Sequence, residues 1–177
     1  LGAAGVINMA HGELIMLGAY TTFIMQTLGV PFLLCIPIAA VVVALIGLFI
    51  EFSLIRHLYD RPLDTLLATW GVSLVLMQGV RLIFGSAPQF IDVPEFLKVN
   101  VEFGIVSLSA FRLFLILSAI ALLLITWYIF YRTRMGIQIR AVTQNKEMAA
   151  SFGINSSRVY AVTFAIGAGL AGVAGAL

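Results

Sequence analysis

Asn8, His11 and Glu13 stand close together near the start of the chain, with Gly5 and Gly12 beside them. A histidine and a glutamate at this spacing can move protons or hold a metal. The second histidine of a zinc H-E-x-x-H helix is missing, however. What remains is a polar role without bond-making chemistry. The residues that follow set their depth. Leu14 to Leu28 is uncharged, yet gives only about 22 Å of helix against about 30 Å of hydrocarbon. A crossing helix must draw on earlier residues, which carries Asn8, His11 and Glu13 to or near membrane depth. Ionisable groups there are costly and face a bundle interior or a wet cavity. They would line a substrate path or form a polar knot at a helix break. An interfacial helix start, meeting lipid headgroups, is the other reading, and both stand open.

A second polar group is regular. Thr65, Thr69 and Ser73 recur four apart, with Trp70 beside them, so one helix face carries the hydroxyls. Such a stripe can hydrogen-bond a neutral polar solute without a countercharge. The same residue types also serve as glue between membrane helices. The glue reading suits each residue alone, and path lining suits the stripe as a whole. Arg81 reads as a snorkelling anchor, and Glu51 as a structural partner of Arg56. Neither a Ser/His pair nor paired aspartates occur inside the apolar segments, so no enzyme site is expected, and no cofactor or metal.

The elements that position these residues follow from composition. Hydrophobic residues make up 62% of the 177, charged residues 10%, and mean hydropathy is +1.09. Soluble domains hold about a quarter charged residues, so lipid is the solvent for most of this chain. Nucleic-acid modules, disordered tails and disulfide scaffolds are excluded together. The net charge of +2 argues for no acidic partner, and Cys35 has no second cysteine to pair with. The chain reads as an excerpt of a larger membrane protein.

The fold class expected is all-α, a polytopic transmembrane bundle of about five helices at about 20 residues each. Spans are placed at about 8–28, 32–55, 65–84, 113–131 and 159–177, with a turn where Gly29 and Pro31 interrupt the apolar run. No segment alternates like a barrel wall, so strands are not expected. The last span holds three small-residue pairs, Ala165/Gly169, Ala168/Gly172 and Ala171/Gly175, which permit close helix packing.

Charge orients the bundle. Residues 132–158 carry Arg132, Arg134, Arg140, Lys146 and Arg158 against Glu147, whereas residues 85–111 carry Asp92, Glu95 and Glu102 against Lys98. The positive-inside rule places 132–158 in the cytoplasm and 85–111 outside. The cytoplasmic segment is far longer than a turn. It reads as a partly apolar helix through Ala141, Val142, Met148, Ala149 and Phe152, ended by Gly153, with Asn155 or Ser156 capping the last span. Such a helix can dock a soluble partner or lie on anionic lipid.

Three strings resemble one family: GVINMAHGELIMLGAYTT from Gly5, RPLDTLLATWGVSLVLMQ from Arg61 and RTRMGIQIRAVTQNKEMAASFGIN from Arg132. They are similar to permease subunits of bacterial ABC importers for branched-chain amino acids and urea, closest to the urea-type branch. The importer coupling pattern E-A-A-x-x-x-G is matched by Glu147, Ala149, Ala150 and Gly153, with Met148 replacing the first Ala. The resemblance implies a multi-pass protein of the bacterial inner membrane. It also implies a second homologous permease, cytoplasmic ATPase subunits and an extracytoplasmic solute-binding protein as partners. The coupling residues would be Arg140, Glu147, Ala149, Ala150 and Gly153. The substrate expected is urea or a short amide, because a zwitterion would be dehydrated at high cost along a stripe of hydroxyls. A branched-chain amino acid is the alternative. A passive channel is a more distant one, with no need of the long cytoplasmic helix.

Overall fold

The structure, a computed structural model, describes residues 8–59, 61–103 and 106–177. Gly5 of the polar entry lies outside the described residues. Helix α1 spans His11–Thr27, α2 Phe32–Ser53, α3 Pro62–Phe84 and the short α4 Glu95–Lys98. Strands β1 (Asn100–Phe103) and β2 (Val106–Ser109) follow, then α5 Ala110–Arg132, α6 Arg134–Gln144, α7 Lys146–Ser151 and α8 Ser156–Ala176. The fold is the all-α helical bundle expected, with one short hairpin added outside the helices: β1 and β2 pair antiparallel, Val101 opposite Leu108 and Glu102 opposite Ser107. This hairpin lies in the loop between membrane helices, where backbone groups unsatisfied by a helix must pair otherwise.

Among the described residues, four helices are long and apolar enough to cross a membrane: α2 with the 3₁₀ turn that extends it to His57, α3, α5 and α8. The fifth expected span is shorter than 8–28. Helix α1 has 17 residues because the chain turns at Ala10, where the Asn8 side chain accepts the Ala10 N–H at 3.0 Å. At its far end Gly29, with φ of 83°, stops the helix. There Gly29 N–H bonds Gln26 O and Val30 N–H bonds Met25 O, the paired bonds of a Schellman cap.

Helix α8 is the centre, packed chiefly on α2 and α1. Its small residues explain the closeness. A Cβ added to Gly172 would stand 2.6 Å from the Ala39 carbonyl oxygen, and one on Gly18 of α1 would collide with the Gly172 backbone. Ala168 and Ala171 bury against Leu14 and Val43. The three small-residue pairs of α8, which permit close packing, are not equivalent. Gly175 is half-buried, yet a Cβ there would collide with the Ile15 carbonyl of α1, so this glycine does permit close approach. Ala165 and Gly169 are both only half-buried. A Cβ on Gly169 would lie 3.4 Å from the Ala40 carbonyl oxygen and 3.6 Å from the Ala44 Cβ of α2, an ordinary contact distance. Alanines on the facing stretch of α2 leave that room, so the tight seam runs through Ala168, Ala171, Gly172 and Gly175 and passes Gly169 by.

Helices α3 and α5 flank this trio more loosely. A second core joins α6, α7 and the start of α8: Ile139, Val142, Ala149, Val159 and Phe164 pack with Ile55.

Candidate functional site

The polar entry is set deep. Leu14 packs on Ala168 and Ala171, and Ala168 lies about 18 Å along α8 from Ser156. Asn8, His11 and Glu13 therefore sit inside the length of the bundle. The Met9 N–H donates to the Thr69 hydroxyl at 3.2 Å, about 10 Å into α3 from Pro62. His11 is exposed, while Asn8 and Glu13 are half-buried. Asn8 Nδ2 and Glu13 Oε2 are buried atoms without a hydrogen-bond partner among the described residues.

Thr65, Thr69 and Ser73 are all buried on one face of α3, whereas Trp70 points outward and is half-exposed. Two of the hydroxyl protons are committed. Thr65 Oγ1 lies 2.7 Å from Leu58 O, and Thr69 Oγ1 lies 2.9 Å from Thr65 O. The Thr69 oxygen then accepts from Met9, so this hydroxyl joins α3 to the start of α1. The stripe continues by fours through Met77 to Arg81. At that end a cleft of about 530 Å³ is lined by Met16, Tyr20, Met77, Val80 and Arg81 together with Gly85–Pro88. Glu13 lies one turn before Met16, on the face of α1 that turns Met16 and Tyr20 into this cleft. Arg81 has no ion pair among the described residues. Arg81, read as an anchor, also lines this cleft. The signal was its spacing of four from Met77, in register with the stripe. Gln26 closes the same end: its amide donates to Asp92 O at 2.7 Å and its carbonyl accepts the Asp92 N–H at 3.0 Å.

The basic segment is two helices where one is expected. Asn145 interrupts them in extended backbone, and its side chain accepts the Met148 N–H at 2.9 Å, capping α7. Gly153 has φ of 79°. Its N–H bonds Ala150 O, and the Ile154 N–H bonds Ala149 O, a second Schellman cap. Asn155 caps α8 by accepting the Arg158 N–H. Helix α7 is two-faced: Ala149 is buried, while Met148 and Phe152 are 60% and 80% exposed. Glu147 and Ala150 are also exposed. Arg140 ties α6 back to α5, donating to the Phe130 carbonyl and lying over the Tyr131 ring.

Beneath this segment, Glu51 is buried completely, accepts the Tyr59 hydroxyl at 2.9 Å and lies 3.6 Å from the Arg56 guanidinium. Burial, then the hydrogen bond and charge of Glu51, push the Tyr59 hydroxyl well above its usual range. It stays a donor at physiological pH.

The whole chain, residues 1–177, matches the family model described as "Branched-chain amino acid transport system / permease component". The chain belongs to the branched-chain amino acid ABC permease family. It is 33% identical to the high-affinity branched-chain amino acid transport system permease protein BraD of Pseudomonas aeruginosa, over 99% of this chain and 62% of that protein. It is 33% identical to LivH of Salmonella typhimurium, over 99% and 61%. A probable LivH of Methanocaldococcus jannaschii shares 28% over 97% and 56%. The chain thus spans about three-fifths of the length of the first two relatives. No solved structure matches it. With its apolar helices, this family member is a multi-pass protein of the inner membrane. The urea-type reading finds no support among these relatives, whose names all specify branched-chain amino acids.

Proposed function

We propose that this chain belongs to the permease of an ATP-driven importer and that its solute is a branched-chain amino acid. The observation that carries the solute class is the cleft between α1 and α3. Met16, Met77 and Val80 give it adaptable apolar walls, suited to a branched aliphatic side chain. Arg81 lines the cleft, and Glu13, one turn from Met16 on the same face of α1, would offer the opposite charge to the other end of a zwitterion. This answers the dehydration cost that favoured urea. The stripe offers a diamide less than its spacing promised, since Thr65 and Thr69 already donate to backbone carbonyls. Asn8, Thr69 and Ser73 continue the path below the cleft. His11 and Trp70, both exposed, stand beside it.

In this reading residues 132–158 face the cytoplasm, and α7 with Arg140 and Gly153 docks an ATPase subunit. The exposed Met148 and Phe152 beside Glu147 support that role. Relatives named LivH and LivM both match the chain, which supports a pair of similar permeases in one transporter. A solute-binding protein would deliver solute to the cleft. The test is uptake by the full-length permease reconstituted with its partner subunits. ATP-dependent leucine uptake well above urea uptake is expected, and urea uptake without leucine uptake would reinstate the urea reading.

A further inference from the structure

The last turns of α2 hold a carboxylate that solvent does not reach, since Glu51 is 0% exposed. Burying such a group is costly, and apolar replacements of a buried ion pair are often as stable. The cluster is also only half-satisfied. Glu51 Oε2 and Arg56 Nε are both buried without a hydrogen bond among the described residues. They are acceptor and donor on side chains already in ion-pair contact at 3.6 Å. A small rotation of the guanidinium, now over the Phe52 ring, would turn this contact into a two-bonded fork. A second arrangement is within reach of the first.

Tyr59 links this cluster to the basic segment. Its hydroxyl bonds Glu51, and its ring stacks on Tyr160 of α8 with centroids 4.3 Å apart. The same ring packs against the core where Ile139 and Val142 of α6 and Ala149 of α7 meet Ile55. A displacement of α6–α7 thus reaches Tyr59 by packing and α2 by one hydrogen bond. Coupling between distant sites can be carried by such a contiguous element when it has two discrete arrangements.

We propose that Glu51, Arg56 and Tyr59 form the joint that transmits motion between α6–α7 and the α2–α8 pair during transport. They are positioning residues and touch no solute. The inference rests on the docking role given to α6–α7 and adds the route by which that docking is felt in the bundle.

The test uses the full-length permease in its assembled transporter in proteoliposomes, reading leucine uptake and ATP hydrolysis together. Tyr59→Phe keeps the stacked ring and removes the linkage. Uptake per ATP is expected to fall by about fivefold or more, with assembly at the wild-type level. A purely structural role would lower assembly or melting temperature and leave that ratio unchanged. The double variant Glu51→Met/Tyr59→Phe replaces the cluster by apolar groups and guards against misfolding of the single one. It is expected to assemble and remain uncoupled. A wild-type ratio in Tyr59→Phe, or in the double variant where the single one does not assemble, overturns the joint, as does failure of both to assemble. A disulfide cross-link from Ala150→Cys to the ATPase separates the two ideas. If it forms while the ratio is unchanged, the joint alone falls; if it does not form, the docking role falls and the joint with it.

Discussion

Thr69 shows how much one hydroxyl can hold at membrane depth. It lies near the Thr65 carbonyl at 2.9 Å and accepts from the Met9 N–H at 3.2 Å, so a single oxygen joins α3 to the turn before α1. Thr69→Val keeps the shape and leaves the Met9 N–H without its partner, at a cost of about 1–3 kcal/mol. A lower melting temperature in detergent, with weakened uptake, is the expected result. Reduced uptake at an unchanged melting temperature would assign the hydroxyl to the solute. Gly172 makes the steric counterpart. Gly172→Ala would place a methyl 2.6 Å from the Ala39 carbonyl oxygen, and backbone cannot step aside as a side chain can. Overpacking of this kind costs about 1–3 kcal/mol, measurable as reduced thermal stability of the purified permease. Gly169→Ala, three residues away with ordinary room around its added methyl, should leave that stability unchanged or slightly raised.

Among the elements, α7 is the one whose ends are specified most sharply. Asn145 caps its start and Gly153 closes its end, so six residues hold a defined direction with Ala149 inward and Met148 outward. Gly153→Val forces a branched side chain into φ of 79°, at roughly 1–2 kcal/mol. It should reduce co-purification of the ATPase while membrane insertion persists; full co-purification with coupled transport would leave α7 as a helix resting on lipid. Asn145→Ala removes the cap, at about 1 kcal/mol. Faster amide exchange confined to α7 is the expected signature.

At the scale of the molecule, the prediction is topology. Arg132, Arg134, Arg140, Lys146 and Arg158 gather where α5, α6, α7 and α8 meet, and Asp92, Glu95 and Glu102 lie in the connection before the other end of α5. Cysteines introduced at Gln144 and Gln89 should react with an impermeant maleimide from the cytoplasmic and outer sides respectively. Cys35, the one cysteine of this stretch, is buried and gives little background. Labelling of both from one side would sink the orientation and the docking role built on it.

Much of this was written in the chain. Length of apolar run sets which helices can cross lipid, and charge breaks those runs. Spans placed at 32–55, 65–84, 113–131 and 159–177 therefore lie within two or three residues of α2, α3, α5 and α8 at most ends. Left-handed Gly153 and the capping Asn155 are equally local, because the bonds that stop and start a helix join neighbours in sequence. What the chain alone left open depends on which face meets which. Small residues marked α8 as a close-packing helix, but the neighbours that make Gly172 and Gly175 tight and leave Gly169 loose lie on α1 and α2. Spacing put Thr65, Thr69 and Ser73 in line, but the bonds that tie Thr65 to Leu58 and Thr69 to Met9 reach distant or non-helical partners that no periodicity reveals. The depth of Asn8 and Glu13 came from where Leu14 seats on α8. Arg81 on the cleft and Tyr59 on Glu51 arose in the same way, from contacts between elements. Hydrophobic pattern specifies that a face is buried; only packing specifies against what.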